Sequence, residues 1–213
     1  MPVLIKMTFD FVDAQSLIAN VRLQAAIDDL SDKLETHIEW LPYERYPNTP
    51  VEGVNRSDFR TALFGSSERS KTEDARIATA AIMDAFVFDF DAIERVPNTF
   101  AAHRLSWLAA RLGVQETAVT ALLRAYFEQG RDIGDPAILT DIAAEIGMDP
   151  LSTRQFLAGD QGVADVRELI ETAAMTVGDG NPHLDIGGAS FTGAMPVSVL
   201  KDAILEAHAD ISV

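Results

Sequence analysis

Val3 to Phe11 reads VLIKMTFDF, and this run constrains the fold more than any other stretch of the chain. It is apolar and β-prone enough for a strand covered on both faces, which requires a parallel or mixed sheet with helices packed on it. The run breaks at Asp13, the expected N-cap of a helix in which Leu17, Val21, Ile27 and Leu30 recur at near-helical spacing. Arg22, Asp28, Asp29 and Lys33 mark its wet side. In THIEWLPYERYPNTP, Ile38 and Trp40 alternate with His37 and Glu39, so a second strand runs into a proline-punctuated loop. The opening is therefore βαβ.

Between about Val51 and Leu157 the texture changes to short amphipathic helices, among them RSDFRTALFG, EDARIATAAIMDAF, NTFAAHRLSWLAARLG and PAILTDIAAEIG. Each is ended or followed by a Gly, Pro or polar break. Strand signals return in PHLDIGGASFTG, a hairpin turning at Gly187-Gly188, and PVSVLKDAILEAH closes as a helix started by Pro196. The order predicts an α/β chain, with one sheet domain from residues 1–50 and 158–213 and a helical insertion over 51–157.

Composition narrows the function classes. A chain of 213 residues should bury about 70% of its unfolded surface. Seventeen Lys and Arg against 33 Asp and Glu leave a net charge of −16, which repels nucleic acid and anionic lipid. The N-terminal MPVLIKMTFDF has too short an apolar run for a membrane helix or a signal peptide, and the simplest expectation is a cytoplasmic location. The chain has no cysteine, which excludes disulfides, thiolate metal sites and any thiol nucleophile of its own. His37, His103, His183 and His208 show neither metal-ligand spacing nor a nucleophile elbow. His103 reads as a partly buried helix histidine, LLRAYF as core packing and DFDAIE as a solvated turn.

Several phrases, in order, resemble the DsbA-like family of the thioredoxin fold, in particular its FrnE-like branch. They are DFV with Ile18, EWLPYERYP at Glu39 to Pro47, VPNTFAAHRL at Val96 to Leu105, LLRAYFEQGRDIGD at Leu122 to Asp135 and FTGAMP at Phe191 to Pro196. The resemblance implies a thioredoxin-like sheet with an inserted helical domain, and a Cys-Pro-x-Cys motif that here falls on Asp13, Ala14, Gln15 and Ser16. Dithiol exchange by this chain alone is then chemically impossible. It also implies that Pro182, after Asn181, is the family's cis-proline facing the motif, with backbone groups open to an extended peptide or to glutathione.

Asp13 thus has two readings. It is a capping residue, or it is a fixed negative charge standing where a thiolate stood and accepting a proton from a ligand; the helix N-terminus, by favouring the ionised form, would make it a weak base. Ser16 either bonds the backbone or holds a ligand thiol, as a serine does in the related 2-hydroxychromene-2-carboxylate isomerases and kappa-class glutathione transferases, although theirs replaces the first cysteine. His183 is a strand-edge histidine or points into the groove beside Asp13. The expected function is binding of a peptide or small thiol between the motif and Asn181, Pro182 and His183. The alternative is a glutathione-dependent isomerase or transferase, with glutathione as the ligand in place of any resident cofactor. The oligomeric state is not legible.

Overall fold

The computed structural model describes residues 1–84, 86–177 and 180–211. The chain opens as β1 (Val3–Phe9), α1 (Ala14–Asp28) and β2 (Thr36–Pro42). A short bridge of β3 (Val54–Asn55) with β4 (Arg95–Val96) flanks α2 (Arg56–Phe64) and α3 (Ser67–Ala80). Next come α4 (Phe100–Arg111), α5 (Gln115–Phe127), α6 (Pro136–Glu145), α7 (Pro150–Ala158) and α8 (Val163–Val177). The hairpin of β5 (His183–Ile186) and β6 (Ala189–Thr192) and the final α9 (Val197–Ile211) close it. Among the described residues no helix is long and apolar enough to cross a membrane.

The sheet is mixed, in the order β2-β1-β5-β6. β1 runs parallel to β2, with Ile5 opposite Ile38, and antiparallel to β5, with Ile5 opposite Ile186. Val3, Ile5, Met7 and Phe9 are buried, whereas Leu4 and Lys6 between them are exposed, so only the Met7–Phe9 end of β1 is covered on both faces. That covered end delivers the chain into the turn that starts α1.

α9 packs on α1 and against β1 and β5, α8 packs against β2, and α5 meets both α1 and β2. α1 is therefore surrounded on several sides, which is why its buried set extends beyond one stripe to Ser16, Ile18, Ala19 and Asn20. α4 to α7 form a bundle that shares one continuous core with the sheet, and α2–α3 form a helical hairpin on the β3–β4 bridge. Aspartates cap α6 and α7, where Asp135 and Asp149 each accept from a first-turn amide just ahead of Pro136 and Pro150. The sequence pattern does not mark α8, which follows the helical insertion.

The phrase VPNTFAAHRL ties the bundle to the sheet. Arg104 is buried, and its guanidinium donates to the carbonyls of Phe156, Leu157, Gly159 and Gln161, holding the end of α7 and the turn into α8. Asn98 donates to the carbonyl of Thr49 at 2.8 Å and accepts from the Phe100 amide.

Candidate functional site

β1 ends at Phe9, and the chain then turns, the Asp13 amide donating to the Asp10 carbonyl at 3.2 Å. Asp13 is in extended conformation and N-caps α1, its Oδ1 accepting from the Gln15 amide at 3.0 Å. Its Oδ2 accepts from Asn181 Nδ2 at 2.8 Å and lies 3.6 Å from an Arg45 guanidinium nitrogen. Asn181 precedes Pro182 through a cis peptide bond.

Asp13 is 8% exposed. Burial pushes its carboxyl up to about 6, against the opposing pull of Arg45 and of the Gln15 amide. The sequence leads to the opposite expectation, a carboxylate held ionised by the helix N-terminus and hence a weak base. Desolvation outweighs the helix end here, because the turn sinks the carboxylate into the protein.

Asp10, the residue directly after Phe9, is fully buried and organises the turn. Its Oδ2 accepts from the Arg45 amide at 2.7 Å, its Oδ1 lies 3.3 Å from His103 Nε2, and its own amide donates to Ser16 Oγ at 3.4 Å. His103 is 1% exposed, not partly buried as its helix pattern led us to expect. Its Nε2 also lies 3.0 Å from the Tyr43 carbonyl, which only accepts, so Nε2 carries the hydrogen.

A cleft of about 590 Å³ opens from Asp13. Val12 to Gln15 form one end, and Tyr43, Arg45 and Tyr46 from the loop after β2 form a side. α2 contributes Arg56, Phe59, Arg60 and Phe64, α3 contributes Glu73 and Arg76, and Phe90, Tyr126 and Phe127 complete the apolar wall. Asp74 pairs with both Arg56 and Arg60, and Glu73 pairs with Arg76. Four guanidinium groups thus face three carboxylates, counting Asp13, Glu73 and Asp74. Asp10, buried behind Asp13 and bonded to the Arg45 amide, adds a fourth carboxylate beside them.

Of the residues singled out in the sequence, Asp13 and Asn181 are brought into direct contact. Ser16 is fully buried behind the turn, with its hydroxyl at the Asp10 amide rather than in the cleft. Pro182 is buried and its carbonyl accepts from the Gly193 amide at 2.8 Å. His183 is half-buried in β5, opposite Thr8 and Thr192. Neither Asn181, Pro182 nor His183 lines the cleft, which lies on the α2–α3 side of Asp13. The sequence reading did not single out the arginines or Asp10, although Arg45 lies in EWLPYERYP and Arg56 and Arg60 in RSDFRTALFG.

No curated protein matches the chain significantly in sequence. Among solved structures, a probable DsbA oxidoreductase from Streptomyces coelicolor is similar at a TM-score of 0.86 and 23% identity, over 98% of this chain and 91% of that one. A 2-hydroxychromene-2-carboxylate isomerase is similar at a TM-score of 0.74 and 14% identity, over 99% and 100%. The cytosolic disulfide reductase DsbM from Pseudomonas aeruginosa, in a structure with GSH, is similar at 0.66 and 15% identity, over 99% and 100%. The DsbA-like thioredoxin domain matches residues 4–205, and the chain belongs to that family, as a member without cysteine.

Proposed function

We propose that this chain is a non-redox member of its family that binds a small organic anion, with low-molecular-mass thiols such as glutathione among the candidates, in the cleft that opens from Asp13. The observation that carries the reading is the set of four arginines on the wall of a cleft that ends at the position of the family's first cysteine. Guanidinium groups gathered on one cleft wall can pair with a small anion through charge-assisted hydrogen bonds. The side-chain contact between Asn181 and Asp13 and the burial of Pro182 favour a small ligand on the arginine side over an extended peptide on the proline loop. DsbM, with its bound GSH, makes glutathione the first probe.

Calorimetry with glutathione, on the wild type and on Arg45→Gln, tests this. Arg45 has a side chain 42% exposed and a guanidinium beside Asp13, so it meets the ligand without holding the core. Binding should weaken about tenfold in the variant and weaken with added salt. It should tighten as the pH falls from 7 to 5, because Asp13 loses its negative charge through about 6. Binding indifferent to Arg45 and to salt, or none to glutathione or any other small anion, overturns the reading.

A further inference from the structure

We propose that a cavity among α4, β2 and α8 is a second binding site, for a small uncharged phenol whose ring packs on Trp40 and Trp107 and whose hydroxyl donates to His103 Nδ1. The cavity measures about 210 Å³ and shares no lining residue with the cleft at Asp13, so the inference stands apart from the anion-binding reading. Its floor is buried: Phe9, Trp40, His103 and Ser106 are each no more than 6% exposed. Its rim is open, with Leu169 of α8 37% exposed and the Arg111 side chain 50% exposed. A small molecule therefore has a way in.

His103 uses only one of its ring nitrogens. Nε2 meets Asp10 and the Tyr43 carbonyl and carries the hydrogen, which leaves Nδ1 of the imidazole an acceptor. Nδ1 is buried and has no partner among the described residues. Buried polar atoms nearly always have one, so an unmatched acceptor in a residue that lines a cavity calls for a donor from whatever fills the cavity. Ser106, beside it on the floor, is already engaged by Gln115 Nε2 at 3.4 Å.

The walls select the rest of the ligand. Phe9 holds Trp40 edge to face at 5.6 Å between ring centres, Phe156 stacks on Trp107 at 6.1 Å, and the Arg111 guanidinium lies over the Trp107 ring. The aromatic surface is thus fixed before a ligand arrives. An apolar cavity of about 150 Å³ takes one benzene ring, so this larger one takes a substituted ring. Apart from His103, Arg111 is the one ionisable residue of the lining, and it sits at the rim paired with Asp165. A charge carried to the floor would be desolvated without a counter-charge, which is why the ligand is neutral.

p-Cresol is the probe, and toluene, which keeps the ring and methyl group but has no donor, is its control. The chain's two tryptophans both line the cavity, so their fluorescence, excited where phenols do not absorb, reads its occupancy. p-Cresol should change that fluorescence saturably and bind about fivefold tighter than toluene. It should also move the nitrogen-15 shift of His103 Nδ1, which toluene leaves in place. Ala110→Leu fills the cavity from an exposed position of α4, and its fold is checked by circular dichroism; it should weaken p-cresol binding about tenfold. No saturable change at millimolar p-cresol, or one that the folded variant leaves intact, overturns the site. Toluene binding as tightly as p-cresol, or an unmoved Nδ1 shift, overturns the hydrogen bond to His103 and the ligand class with it.

Discussion

Asn181 Nδ2 donates to Asp13 Oδ2 at 2.8 Å, across 168 positions of sequence, and joins the loop before β5 to the first turn of α1. The bond favours the ionised carboxylate and works against the burial that lifts Asp13 to about 6. Asn181→Leu keeps the bulk and removes the donor. The Asp13 carboxyl should then titrate higher than in the wild type, read from its carbon-13 shift against pH. A midpoint that stays or falls removes Asn181 from the electrostatics of the site.

Asp13 also makes stability depend on pH. Its folded value of about 6 lies above the ordinary value of 3.8, so between the two the folded state holds more protons than the unfolded one. The contribution is fully present below the unfolded value and is lost as the pH rises through about 6, by about 3 kcal/mol. Asp13→Asn removes the titration, and the unpartnered Asn181 Oδ1 can accept from the new amide once Asn181 turns over. Urea denaturation should show the variant gaining on the wild type between pH 4 and pH 7. A constant difference across that range contradicts the assignment.

Asp10, itself fully buried, receives the Arg45 amide and the buried His103 ring. Asp10→Ala removes the acceptor of the Arg45 amide and one of the two acceptors of His103 Nε2, and should cost about 2 kcal/mol of stability by chemical denaturation. A loss below about 1 kcal/mol shows that the surroundings re-satisfy them.

The parts of this fold written in local pattern were legible: the first strand, read to Phe11 and ending at Phe9, the Asp13 cap, the β2 alternation and the Gly187-Gly188 hairpin all follow from periodicity and turn chemistry. Of the residues singled out by pattern, Asp13 lines the cleft and Asn181 bonds it from outside the cleft. The arginine wall is assembled from the loop after β2, α2 and α3, and no spacing rule links Arg45 to Arg60 or Arg76. Asp10 and His103 lie 93 positions apart and meet only because α4 packs over the end of β1. Ser16 sits one turn into α1, on a face that only the surrounding helices make into a core face.

Without a thiol the chain has no means of forming a mixed disulfide. Purified protein should reduce insulin no faster than a buffer blank, and a protein-dependent rate that survives removal of contaminating reductases would contradict the chemistry.

The central claim, a small-anion site running from Asp13 along the arginine wall, is tested most directly by amide NMR shifts on titration with glutathione. The account predicts saturable shifts grouped at Ala14 and Gln15, Arg45 and Tyr46, and Phe59 to Phe64. Shifts confined to the hairpin around His183 and Thr192, or none at millimolar ligand, would contradict it.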